Sequence, residues 1–310
     1  MRNHVRVGRM TSSPDRPRTR LRNETLGVVL MAVSMLIIPT SDAIAKYLSS
    51  THSPVFLSWI RYVAALGFVL PVALLQRGRM TAMASASSGR YWLSQILRTA
   101  FLVAAMTLYF VAIVRIPLAD ALGAYFIAPI AATLLASIAL RERLDRRKLL
   151  AVALGFVGAI LVVRPGTETS TGTLIALASG FCIACYLVLT RATAQDRPPV
   201  ATLTIQLVLG IAMLMPFALL QWTTPTREGL LLILLMGLVS TLSNLMTISA
   251  FRLAQVQTLS PFVYLELIGA TALGFIVFGD LPSPMTWAGI AVIVVAGLIV
   301  ATASPARRES

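Results

Sequence analysis

The sequence predicts an all-α polytopic membrane protein in which ten transmembrane helices form two inverted five-helix repeats. Of the 310 residues, 57% are hydrophobic and only 12% charged, with a mean hydropathy of +0.82. Soluble domains carry about 45–50% apolar and about 25% charged residues, so a soluble globular protein is excluded. The apolar residues fall into runs of bilayer length, and the first half of the chain resembles the second, five runs against five. Disorder needs low hydrophobicity, and a disulfide scaffold needs many cysteines in a short chain; two cysteines in 310 residues fit neither.

A helix rises about 1.5 Å per residue and the hydrocarbon core is about 30 Å thick, so a span needs about 17–25 mostly apolar residues. The first, 26–47, follows a basic leader; the second, 54–75, opens at Pro54; the third, 92–114, stops at Arg115. The fourth, 117–140, runs from Pro117 to the basic cluster Arg141 to Lys148. The fifth, 147–163, is the shortest, because its apolar run from Leu149 to Val163 has 15 residues and borrows the stems of Arg147 and Lys148, which can snorkel. Arg164-Pro165-Gly166 breaks the chain before the sixth span, 172–190, and Arg197-Pro198-Pro199 before the seventh, 200–222. The eighth is 229–251 and the ninth 256–278; Gly279-Asp280-Leu281-Pro282 separates the ninth from the tenth, 285–303.

The formal charge of +14 would suggest nucleic acid in a soluble chain. With the N-terminus in the cytoplasm, however, 20 of the 26 Lys and Arg residues fall in cytoplasmic segments and four (Lys46, Arg115, Arg164, Arg227) outside, with Arg61 and Arg98 inside spans. The positive-inside rule then places both termini in the cytoplasm and explains the charge without nucleic acid. Residues 1–23 read as a disordered basic tail and 305–310 as a second cytoplasmic tail. The basic leader, the apolar run Leu26 to Ile38 and Ala43-Ile-Ala45 also resemble a secretory signal, and an Arg-rich transit peptide is a further alternative. The internal repeat, which uses this helix, argues against a cleaved signal.

Residues 26–75 lie over 171–220 without a gap, with 11 identities in 50, among them Gly27 over Gly172, Pro54 over Pro199 and Pro71 over Pro216. A second block at another offset sets Arg115 over Arg252. Each half holds an odd number of spans, so the second copy enters from the opposite side. Inverted repeats are typical of secondary transporters, whose sites lie near the midplane between the halves.

The ordered motifs of both halves resemble the EamA-type members of the drug/metabolite transporter superfamily. In the first half these are Pro117-Leu-Ala-Asp-Ala-Leu, Ala128-Pro-Ile-Ala-Ala, Leu140-Arg-Glu-Arg-Leu144, Gly155-Phe-Val-Gly158 and Val162-Val-Arg-Pro-Gly166. In the second they are Ser260-Pro-Phe-Val-Tyr-Leu-Glu266, Phe278-Gly-Asp-Leu-Pro282 and Thr286-Trp-Ala-Gly289. The resemblance implies two repeats, 24–166 and 167–304, in a cell inner membrane, and a carrier of small organic solutes, often an exporter of amino acids or related metabolites. Where the first half has Glu142 the second has Gly279 with Asp280 beside it, which leaves a role for Glu142 in doubt.

Ionisable groups inside spans are costly and therefore candidate site residues. Glu266 lies about 15 Å into the ninth span, at the midplane, fit to carry a proton or pair with a substrate ammonium; the alternative is a structural pairing with Arg98 or Arg61. Arg98 and Arg61 lie about 10 Å deep, Arg98 as an anion partner and Arg61 as either an interfacial anchor or a substrate contact. Asp42 and Lys46, four apart, read as an ion pair on one face of the first helix, or as a gate. Tyr125, Tyr264, Tyr109, Tyr186 and Asn244 are candidate cavity walls, with ordinary packing the alternative for each tyrosine. Pro129 and Pro261 can bend their spans and release carbonyls into a cavity. No Walker glycine loop stands in the chain, Cys182 and Cys185 lack the further ligands of a zinc site, and His4 and His52 lie outside the spans. Neither cofactor nor metal is expected, and the chain is not read as an enzyme. The leading expectation is alternating-access export of amino-acid-like zwitterions, with the proton as a candidate coupling ion. Uptake or exchange of another metabolite or vitamin is the alternative, and a non-transporting sensor or assembly subunit a third.

Overall fold

In the computed structural model the described residues are 16–75, 89–139, 146–163, 170–192, 199–254 and 259–302, and all the regular structure among them is helical. The helices are α1 (Arg16–Leu48), α2 (Pro54–Leu75), α3 (Gly89–Ile113), α4 (Leu118–Tyr125), α5 (Ala128–Ala139), α6 (Arg146–Val163), α7 (Thr171–Ala192), α8 (Pro199–Leu220), α9 (Arg227–Leu253), α10 (Leu265–Phe278) and α11 (Pro284–Thr302). A 3₁₀ turn, Ser260–Tyr264, leads into α10. Seven stretches, with α4 and α5 together forming one, are long and apolar enough to cross a membrane. Three shorter apolar helices, Leu149–Val162, Phe262–Phe278 and Pro284–Ile299, coincide with the fifth, ninth and tenth expected spans. Helix α1 begins at Arg16, so it extends into the stretch expected as a tail. Glu142 and the two turn signals Arg164-Pro165-Gly166 and Arg197-Pro198 lie outside the described residues, as do residues 1–15 and 305–310.

Large apolar side chains cover the outside: Leu75 is 88% exposed, Leu220 85% and Ile276 76%. A protein in water would hide such a surface, whereas a lipid tail accepts it without penalty. Small residues and hydroxyls do much of the packing inside. Gly158 of α6 and Gly289 of α11 face each other so closely that a Cβ on either would lie 2.8–2.9 Å from the other's carbonyl oxygen. Between α1 and α9 runs a seam of hydroxyls. Ser34 bonds Ser243 at 2.8 Å and Thr247 at 2.7 Å, while Ser41 bonds Ser240 at 2.9 Å. Such bonds hold bilayer helices together at about 0.6 kcal/mol each.

The most extensive pairings join α1 to α9, α3 to α7, α2 to α8, α6 to α11, α1 to α10, and α4 and α5 to α7. Helices from early in the chain thus pack mainly against helices from late in it. The largest apolar cluster runs through the bundle from the end of α1 to α11 and includes Leu48, Phe56, Leu57, Phe110, Ile113 and Leu118, all at most 4% exposed.

Candidate functional site

The fourth expected span is not continuous. Pro129 has no N–H to offer the Tyr125 carbonyl, and α4 stops at Tyr125, turns through Phe126 and Ile127, and resumes as α5. Gly180 of α7 packs on this break, where a Cβ would lie 2.7 Å from the Tyr125 oxygen. The absence of a side chain at 180 therefore lets α7 approach the opened backbone. The corresponding stretch of the ninth span begins as a 3₁₀ turn, and Glu266 follows in the first turn of α10.

Between the breaks and α1, α2, α3, α7, α8 and α9 lies a cavity of about 310 Å³, within the range of small-molecule sites. Its charged groups are Asp42, Arg61 and Glu266. Tyr62, Tyr109, Phe110, Tyr125 and Tyr186 supply aromatic wall, and Ser58, Gln206, Ser240, Ser243, Asn244 and Thr247 supply hydrogen-bonding groups. The Tyr109 and Tyr125 rings lie 5.4 Å apart, and the Tyr186 hydroxyl donates to Gln206 at 3.3 Å.

The Arg61 guanidinium ties three helices together. Its Nη1 meets Asp42 Oδ1 of α1 at 3.3 Å, its Nε donates to Ser240 Oγ of α9 at 2.9 Å, and its Cζ lies 5.4 Å from the Phe110 ring centre. Asp42 is buried and Arg61 nearly so, so neither charge is well served by solvent and each depends on the other. Among the described residues the Glu266 carboxylate has no salt-bridge partner, although Asp42 and Arg61 lie within electrostatic reach.

Seven of the nine sequence candidates, Glu266, Tyr125, Asn244, Tyr109, Tyr186, Asp42 and Arg61, meet in this cavity. Two do not. The Tyr264 ring packs edge-on to Phe126, 5.4 Å between centres, and its hydroxyl lodges against Gly297 of α11, so it serves packing. Arg98 lies behind the wall, its Cζ 5.7 Å from the Tyr186 ring centre.

The expected Asp42–Lys46 pair is also replaced. Lys46 Nζ bonds Asp280 Oδ2 at 2.7 Å and the Ile116 carbonyl at 3.1 Å, over the Phe278 ring, while Asp42 turns to Arg61. Four residues carry a helix about 40° beyond a full turn, enough for the two side chains to face different neighbours. The hydroxyl residues of the cavity, Ser58, Ser240, Ser243 and Thr247, were not singled out from the sequence. The signal for three of them was the helical spacing of Ser240, Ser243 and Thr247 inside an apolar run.

The model of the EamA-like transporter family matches residues 25–164 and again 170–302. A riboflavin transporter of Brucella anthropi is 26% identical over 255 residues, covering 79% of this chain and 86% of its own length. An S-adenosylmethionine uptake transporter of Rickettsia felis is 21% identical, covering 90% and 94%, and a riboflavin transporter of Vibrio cholerae is 24% identical, covering 86% and 90%. A solved crystal structure superposes with a TM-score of 0.62 at 16% identity, over 90% of this chain and 96% of the other, and so shares the fold. Family and relatives are transporters rather than enzymes. These names lend no support to the expected export of amino acids.

Proposed function

The chain belongs to the EamA-like transporter family, and on that footing we propose that it is a secondary carrier taking up a heteroaromatic metabolite or vitamin through the central cavity. Its halves, 24–166 and 167–304, act as inverted five-span repeats. The double match of the family model supports this reading, as does the helix pairing: exchanging the halves turns the α1–α9 contact into the α7–α3 contact and leaves α2–α8 and α6–α11 in place. The three short apolar helices supply the remaining spans, and the charge distribution supports a bacterial inner membrane with both termini cytoplasmic.

The observation that carries the substrate class is the lining of the cavity. Tyrosine and phenylalanine faces suit a flat fused ring, while Gln206, Asn244 and the serine hydroxyls suit its heteroatoms and any attached polyol. The names of the relatives, riboflavin and S-adenosylmethionine, belong to molecules of that kind. Glu266, the cavity acid without a salt bridge among the described residues, is the coupling proton's carrier. The Asp42–Arg61–Ser240 bridge joins α1, α2 and α9 where the halves meet.

Counterflow in proteoliposomes tests this directly, with labelled riboflavin, S-adenosylmethionine and a set of amino acids offered to vesicles loaded with the same unlabelled solute. Accumulation of a heteroaromatic solute is expected. Counterflow of amino acids alone would overturn the substrate class, and counterflow of no member of a broad metabolite pool would overturn the carrier reading.

A further inference from the structure

The transport cavity uses Arg61, but a second arginine lies buried behind it with no anionic partner among the described residues. Arg98 is 5% exposed, and its Nε and Nη2 are fully enclosed with no hydrogen-bond partner. On the same face of α3, Gln95 is 4% exposed with an unpartnered Oε1, and Thr99 is fully buried with an unpartnered Oγ. Positions 95, 98 and 99 are spaced to share one helix face. Arginine stays charged at any accessible pH, so deprotonation cannot relieve the cost of burying it. An enclosed guanidinium so placed lacks a partner of opposite charge and planar or tetrahedral oxygen geometry. Between this cluster and the central cavity stands the Tyr186 ring, held by its hydrogen bond to Gln206.

We propose that Arg98, with Thr99, forms an oxyanion subsite, screened from the central cavity by Tyr186, that binds a carboxylate or phosphate borne by the transported solute. Rotation of Tyr186 breaks one 3.3 Å hydrogen bond and brings the guanidinium to the cavity. The ring of the solute then lies among Tyr109 and Tyr125 while its anionic end reaches Arg98. Only the identification of the anion with the cargo rests on the carrier reading; anion binding itself is read without transport.

The test uses the full chain in phosphatidylcholine nanodiscs, with inorganic phosphate and acetate titrated against chloride at constant ionic strength and the thermal unfolding midpoint as readout. In the wild type, phosphate or acetate raises the midpoint saturably where chloride does not. Arg98→Gln weakens the response at least tenfold and unfolds at a higher temperature than the wild type in oxyanion-free buffer, because the unpaired charge is gone. Arg98→Lys keeps a weakened response, the exposed Arg115→Gln keeps a full one, and Tyr186→Ala strengthens it by opening the screen. An undiminished response in Arg98→Gln, or an equal one to chloride, would overturn the subsite. Stabilisation by phosphatidylglycerol nanodiscs with no response to free oxyanions would assign Arg98 to a lipid headgroup and overturn the solute site. If binding follows Arg98 but no solute shows counterflow, the carrier reading fails and the subsite stands.

Discussion

Replacing Arg61 by methionine isolates the bridge that joins three helices at the cavity. The substitution keeps most of the side-chain volume and leaves Asp42, whose side chain is 6% exposed, without its guanidinium, and Ser240 Oγ with Ser41 as its remaining partner. Breaking a buried pair by removing one member costs about 3–5 kcal/mol. The cavity beside Asp42 is large enough for water, so the lower end, about 3 kcal/mol, applies. That is roughly a 150-fold fall in the folded-to-unfolded ratio. Asp42→Asn leaves Arg61 its bond to Ser240 and its contact with Phe110, so the loss is smaller, about 2 kcal/mol. The double variant leaves no unpaired charge and costs under about 1 kcal/mol, since an uncharged pair of similar size replaces a buried ion pair with little loss. Equilibrium unfolding of all four proteins in the same micelles measures the coupling, expected at about 4 kcal/mol. If the double variant instead lost the sum of the singles, about 5 kcal/mol, the two residues would be independent and the bridge would not exist.

Glu266→Gln should abolish accumulation driven by a pH gradient while sparing solute exchange at equal pH, because an amide can line the cavity but cannot carry a proton; full retention of gradient-driven uptake would remove Glu266 from coupling. Gly180→Val should destabilise the protein by about 1–3 kcal/mol, as its side chain meets the Tyr125 carbonyl and Ile127 at the helix break, and thermal unfolding reads this directly. A midpoint equal to that of the wild type would mean that α7 does not rest on the break.

Much of the helical layout was legible in the sequence because a bilayer imposes one length and one composition on every span. The spans expected from 54, 200 and 229 start within two residues of α2 at Pro54, α8 at Pro199 and α9 at Arg227. Pro129 marked the fourth span as bent, although the break itself falls at Phe126 and Ile127, where the missing N–H takes effect a turn upstream. Depth along a helix put Glu266, Tyr125 and Tyr109 at the level of the cavity that they line, but depth carries no information about rotation. Tyr264, at the depth of a wall residue, faces α11, and Arg98 faces α7 behind Tyr186. The partners of Asp42 and Lys46 were hidden for a related reason. Spacing within one helix favours the local pair, and only the neighbouring helices offered Arg61 and Asp280.

The claim that the central cavity is the path is tested most directly by filling it. Asn244 is an open wall position that projects into the cavity, whereas Leu235, on the same helix, is 43% exposed on the outer surface. Counterflow of the solute identified in proteoliposomes should be lost in Asn244→Trp and retained in Leu235→Trp, with both proteins folded. Equal counterflow through the two variants would contradict a path through this cavity.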